Sequence, residues 1–245
     1  VLGGVGTALL AYYSTPLEVL TKIWFIPAAV MGVFLPTFAR AFSENTEDLN
    51  ALKVRSENIL GILVWPLLVV IACLGPELLH LWLGPEFAIQ GGLILQILVL
   101  GTWFSCVGSG PGIFLISVGR SDVLVKILII SLCLFLPNCW YLVGQFGLKG
   151  AAVAWSVRWA GETLMYFLAA SYYFPVRSSS APGASRIWIG LGLLGLALPM
   201  FFPMVMYRIG FLGIVFLIMS GWAFLRREEL RGLFHSLFRK VPPLA

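Results

Sequence analysis

The stretch ALLAYYSTPLEVLTKIWFIPAAVMGVFLPTFAR, residues 8–40, decides the class of this chain. Most of it is apolar, and crossing a bilayer takes about 20 such residues. It nevertheless carries Glu18 and Lys22 one helical turn apart, and proline at 16, 27 and 36. An ionisable pair is costly in lipid and is expected to face protein or a water-filled cavity. With Thr15 the two charges make a polar stripe on an otherwise apolar helix. Two readings of the pair stand side by side. One is an ion pair near the outer interface with Lys22 snorkelling to water; the other is a wall of a translocation cavity. As a whole the stretch reads as a cavity-lining helix of a transporter.

Composition extends that reading to the rest of the chain. Of 245 residues, 60% are hydrophobic and 11% charged, with a mean hydropathy of +0.96. Soluble domains carry about 25% charged residues. The net charge of +5 is first a topology signal in a membrane protein, and no nucleic-acid partner is inferred from it. The first residue is Val1, and no signal-peptide layout precedes Thr21. An upstream part with about as many apolar spans again is therefore expected. Cys73, Cys106, Cys133 and Cys139 all fall inside apolar runs without metal-ligand spacing and are expected as buried packing residues.

In order, a polar segment at 41–58 follows the first span. A second span covers about 59–83, a third about 91–118, and a fourth starts after GRSD at 119–122 and ends near Gln145. The turn FGLKG leads to a fifth span, from Ala151 to Phe174. The fold class expected is an all-α polytopic membrane protein of about seven transmembrane helices. Four segments are expected: a five-span bundle at 1–174, a cytoplasmic linker PVRSSSAPGASR at 175–186, two additional helices within 187–225, and a basic amphipathic tail at 226–245. The two additional helices are expected at 187–206 and 209–225, separated by Tyr207 and Arg208.

Charge placement agrees with that count. One alternate set of connections holds Arg40, Lys53, Arg55, Arg120, Lys126, Arg177, Arg186, Arg226, Arg227, Arg231, Arg239 and Lys240; the other holds Lys149 and Arg208. The positive-inside rule makes the first set, and with it the C-terminus, cytoplasmic.

Hydrolytic and group-transfer constellations are not visible, and no phosphate-binding Gly motif precedes a helix. GSGPG at 108–112 lies within a span, where a helix break or a close helix contact is a simpler reading than contact with substrate. Arg158 and Glu162 repeat the i, i+4 spacing within the fifth span. Arg158 stands about ten residues beyond Gly147, roughly 15 Å deep. An Arg at that depth needs water, a carboxylate or an anion, which favours a functional over a purely structural pair. His80, beside Trp82, is explained by an interfacial aromatic belt.

Four stretches resemble a known family. Residues 11–40, LLHLWLGPEFAIQGGLILQIL at 78–98, VGRSDVLVK at 118–126 and FGLKGAAVAWSVR at 146–158 are similar to the second half of the oligosaccharide flippases of polysaccharide biosynthesis. These belong to the superfamily that also holds multidrug and toxin extruders and lipid II flippases. The resemblance covers about residues 8–174, and beyond that it is hydropathy alone. It implies the second bundle of a two-bundle flippase fold plus two extra C-terminal helices, around a cavity with alternating access in a bacterial inner membrane. It implies a polyprenyl-pyrophosphate-linked oligosaccharide as substrate, membrane lipids as surroundings, and a polysaccharide polymerase and chain-length proteins as partners. It implies no organic cofactor, and coupling to a proton or sodium gradient. Carried over by position, the substrate-binding candidates are Arg158 with Glu162, and Lys22 with Glu18; no catalytic or metal-binding residue is expected. A cation-coupled drug or metabolite extruder of the same fold is the alternative. A polytopic glycosyltransferase or polymerase is the third reading, and the short outer loops count against it.

Overall fold

The computed structural model describes residues 2–43, 49–173, 184–201 and 205–225. Among these the chain is helical with no strand: α1 (Leu2–Lys22), α2 (Phe25–Ser43), α3 (Leu49–Leu83), α4 (Pro85–Ser117), α5 (Ser121–Tyr173), α6 (Ala184–Ala197) with a 3-10 turn at Leu198–Phe201, and α7 (Val205–Leu225). Four stretches are long and apolar enough to cross a membrane: Leu10–Ser43, Leu52–Leu83, Pro85–Ser117 and Ser121–Tyr173. Gly192–Phe201 and Val205–Leu217 are shorter apolar helices. The chain is an all-α polytopic membrane protein.

At 53 residues, α5 would be about 80 Å long if straight, far more than a bilayer core of about 30 Å. It is a hairpin. Gly147 has φ 59 and ψ −136, a left-handed backbone that glycine adopts without steric cost. Beyond this corner the arms (121–146 and 148–173) run back along each other, so closely that a Cβ on Gly150 would collide with the backbone of Leu142. The tight turn expected at FGLKG is therefore the corner found.

The first span is not one continuous helix. It breaks at Ile23–Trp24, where Ile23 N–H donates to Leu20 O and Trp24 N–H to Thr21 O, tightening the turn. Pro27 is the cause: it has no N–H for Ile23 O, and its ring crowds the carbonyl four residues back. The residue before the break is Lys22.

The hub is α4 rather than the first span. It packs against α1, α2, α3, α5 and α6, and its close contacts run through glycine. Gly91, Gly92, Gly101, Gly108, Gly110 and Gly112 are buried. A Cβ on Gly101 would lie 2.5 Å from the Trp155 ring, and one on Gly108 would collide with Thr163. Ser156 Oγ donates to Ile97 O at 2.8 Å and Thr163 Oγ1 to Phe104 O at 2.7 Å, fixing the second arm of α5 against α4. Small residues that admit close backbone approach are the usual basis of helix packing in membranes. At GSGPG the structure shows a close helix contact and no break, since α4 runs unbroken through Pro111.

Boundaries differ from expectation in two places. Helix α3 begins at Leu49, so most of the polar segment already belongs to it. The 3-10 turn after α6 ends at Phe201 and α7 begins at Val205, ahead of the separation expected at 207–208, which puts Arg208 inside α7. Two cysteines depart from the expected burial: Cys133 is exposed and Cys139 half-buried on the first arm of α5, while Cys73 and Cys106 are buried. That arm packs on few neighbours, so its apolar residues face outward. The basic tail and most of the linker lie outside the described residues.

Candidate functional site

Within the second arm of α5, Glu162 turns inward and Arg158 stands one turn earlier. The carboxylate is 2% exposed and the guanidinium 25%; Arg158 Nη2 lies 3.7 Å from Glu162 Oε2. The other contacts come from two residues. Ser131, on the opposing arm of the hairpin, donates its hydroxyl to Glu162 Oε2 at 3.1 Å and accepts from Arg158 Nε at 3.3 Å. Tyr166 donates to Glu162 Oε1 at 2.8 Å. Both carboxylate oxygens are thus held, as a buried charge requires. Glu162 keeps two neutral donors that do not depend on Arg158.

The guanidinium lies between two rings, 5.3 Å from the centroid of Trp159 and 5.5 Å from that of Phe135. Cation–π attraction at these distances adds to its retention away from water. Trp159 in turn meets Trp24, edge to face at 5.4 Å, and Trp155 at 6.1 Å. Trp24 stacks on Trp155 with an interplanar angle of 7°. The break after Lys22 therefore sits against the turns of α5 that carry Arg158.

Glu18 and Lys22 form their expected pair, at 3.8 Å, on the surface of α1 with side chains 74% and 77% exposed. Thr21 Oγ1 bonds Glu18 O, and Thr15 is half-buried. The chain buries neither charge. The four candidates thus form two local i, i+4 pairs, and the Arg158 pair has a built surround.

Composition and spacing do not single out Ser131, Phe135, Trp24, Trp159 or Tyr166. Tyr166 follows Glu162 by four residues, a spacing that places it within reach on a helix. Ser131 becomes findable only once the hairpin is folded about Gly147, which sets 131 opposite 162. Near the C-terminal end of α3, Arg208 Nη1 meets Glu77 Oε1 at 3.2 Å, tying α7 to α3. No group of His, Cys, Asp and Glu among the described residues could hold a metal ion.

Comparison with known proteins places relatives beside this geometry. The chain is 27% identical over 156 residues to a putative O-antigen transporter of Shigella flexneri, covering 63% of this chain and 36% of that protein. It is 28% identical over 171 residues to the capsular polysaccharide biosynthesis protein CapF of Staphylococcus aureus, covering 69% of this chain and 41% of that protein. The chain thus spans well under half the length of these curated relatives. No family model matches the chain. Both similarities lie with proteins of surface-polysaccharide export or synthesis.

Proposed function

We propose that this chain belongs to a flippase that carries a polyprenyl-pyrophosphate-linked oligosaccharide across a bacterial inner membrane by alternating access. The two relatives support a polysaccharide export role. The observation that carries the finer reading is Arg158: a partly exposed guanidinium within a span, paired to a carboxylate with donors of its own. A pyrophosphate offers more charge and planar pairs of oxygens that match the guanidinium fork. As it arrives, Arg158 turns from Glu162 to the ligand. Glu162 stays solvated by Ser131 and Tyr166, so neither charge is left bare in a low-dielectric site. Lys22 and Glu18, exposed beside the break, form a second cationic and anionic point on the proposed cavity wall. The cycle draws on a proton or sodium gradient.

Complementation of surface polysaccharide in a deletion strain tests this, with protein level followed in the membrane. Arg158→Ala is expected to abolish polysaccharide while inserting normally. Arg158→Lys should impair it because an ammonium lacks the planar fork, and Glu162→Gln should impair it less. Full complementation by normally expressed Arg158→Ala overturns the assignment.

A further inference from the structure

Tryptophans of membrane proteins gather at the interfaces. Trp82 fits that rule, 68% exposed at the end of α3, and Trp140, seven residues before the corner at Gly147, is 86% exposed on the outside of the bundle. Trp24, Trp155 and Trp159 do not fit it. Trp155 and Trp159 follow the corner at Gly147 by eight and twelve residues, roughly 12 and 18 Å of helix, so they lie near the middle of a core about 30 Å thick. Trp24 packs on them at the same level from the broken first span.

The three indoles are layered. Trp155 is buried against Gly101 of α4 and forms the floor. Trp24 and Trp159 are half-buried and form the rim, with Arg158 held beside Trp159. The Nε1 of Trp24 and of Trp159 are covered and have no hydrogen-bond acceptor among the described residues. A buried donor without an acceptor costs stability, and at membrane depth no bulk water offsets it. Apolar residues in place of Trp24 and Trp159 would fill the same space without that cost. The rim is also built where the backbone is already broken, so Trp24 can shift without unwinding a regular helix.

From this we infer that Trp24 and Trp159, with Arg158 at their edge, form a subsite for a sugar ring. A pyranose has an apolar C–H face that lies on an aromatic plane, and a periphery of hydroxyls that accept from N–H donors. Two indole N–H groups and a guanidinium supply such donors around an apolar shelf, the arrangement by which small-ligand sites obtain orientation. The inference rests on the flippase reading and adds to it: the anion goes to Arg158, and the first sugar beyond it to the Trp24–Trp159 rim.

Purified protein carrying 5-fluorotryptophan at its nine tryptophans, in a detergent without a sugar head, tests the subsite by 19F NMR. Resonances are assigned by single Trp→Phe substitutions. Titration with the β1→4-linked disaccharide of N-acetylglucosamine should move the Trp24 and Trp159 signals and leave Trp82 and Trp140 unmoved. Trp159→Leu should weaken disaccharide binding roughly five- to tenfold, as loss of one aromatic contact does, and Trp159→Tyr should recover some of it. Inorganic pyrophosphate forms the separate arm: its binding should fall in Arg158→Ala and persist in Trp159→Leu. Disaccharide shifts confined to Trp82 and Trp140, or no shifts, overturn the subsite in the unmutated protein. Pyrophosphate binding that is unchanged in Arg158→Ala overturns the anion site instead, and the two failures are read independently.

Discussion

The Tyr166 phenol donates to Glu162 Oε1 at 2.8 Å from one turn further along the same helix, and this bond keeps a buried carboxylate satisfied when Arg158 is engaged elsewhere. Removing the hydroxyl leaves one carboxylate oxygen without that donor in a site from which water is excluded. Tyr166→Phe should therefore destabilise the protein by about 1–3 kcal/mol. Ser131→Ala removes a hydroxyl that donates to Glu162 and accepts from Arg158 and should cost about 1 kcal/mol. Thermal denaturation in detergent measures both. Unchanged midpoints for the pair of variants would mean that Arg158 alone holds the carboxylate.

Glycine content along the hub makes a second, paired prediction. A side chain at Gly101 meets the Trp155 ring and Ser156 Oγ, whereas one at Gly161 meets nothing within 4 Å. Gly101→Val should push the second arm of α5 from α4 and sharply lower the yield of folded protein, as overpacking does at about 1–3 kcal/mol or more. Gly161→Ala should be neutral or stabilising by up to about 1 kcal/mol, through helix propensity alone. Size-exclusion profiles and melting midpoints report both. Equal tolerance at the two positions would contradict the close α4–α5 contact.

Local rules carry some features and fail at others, for physical reasons. Arg158 and Glu162 are legible because an i, i+4 pair is set by helix geometry, and the corner at Gly147 because Gly and Lys separate a pair of apolar runs of span length. The break at Ile23–Trp24 is legible in principle from Pro27, which always disturbs the carbonyl four residues back; hydropathy, blind to backbone donors, merges the two helices. The hub role of α4 is signalled by its glycine content, which composition alone does not separate from flexibility. Trp24 meeting Trp155 and Trp159 is not legible, since they lie more than 130 residues apart in sequence and only packing brings them together. The expected burial of Cys133 fails because apolar surroundings in sequence mean lipid exposure as readily as core.

The first arm of α5 gives a direct test of topology. It runs from Ser121 to the corner beyond Gln145, both exposed, and an apolar arm of this length spans the bilayer. In a background with Cys73, Cys106, Cys133 and Cys139 replaced by Ala, Ser121→Cys and Gln145→Cys should label with an impermeant thiol reagent from opposite sides of sealed vesicles. The cationic set of Arg40, Lys53, Arg55, Arg120 and Lys126 shares its end with Ser121, so that cysteine should label from the cytoplasmic side. Labelling of both from one side would remove the hairpin from the membrane.

The ion pair of Glu77 with Arg208 fastens α7 to the C-terminal end of α3, across 131 residues of sequence. Below it, α6 sits on the same bundle: Gly195 lies against the Trp65 ring and Gly192 against Trp103, with no room for a side chain at either. The final two helices are thus packed into the bundle rather than appended to it. The guanidinium is 12% exposed and the carboxylate 32%, so losing one partner strands a charge that water reaches poorly. Glu77→Ala and Arg208→Ala should each destabilise the protein, Arg208→Ala less, because it leaves the more exposed group behind. The double variant should cost less than the sum of the two, with a coupling of about 0.5–3 kcal/mol. The exchange Glu77→Arg with Arg208→Glu should recover some of the loss, since the pair is re-formed in reverse. Melting midpoints of the four proteins close the cycle. Strict additivity would show that α7 is held by its apolar face alone, and that the contact at 3.2 Å contributes nothing to docking.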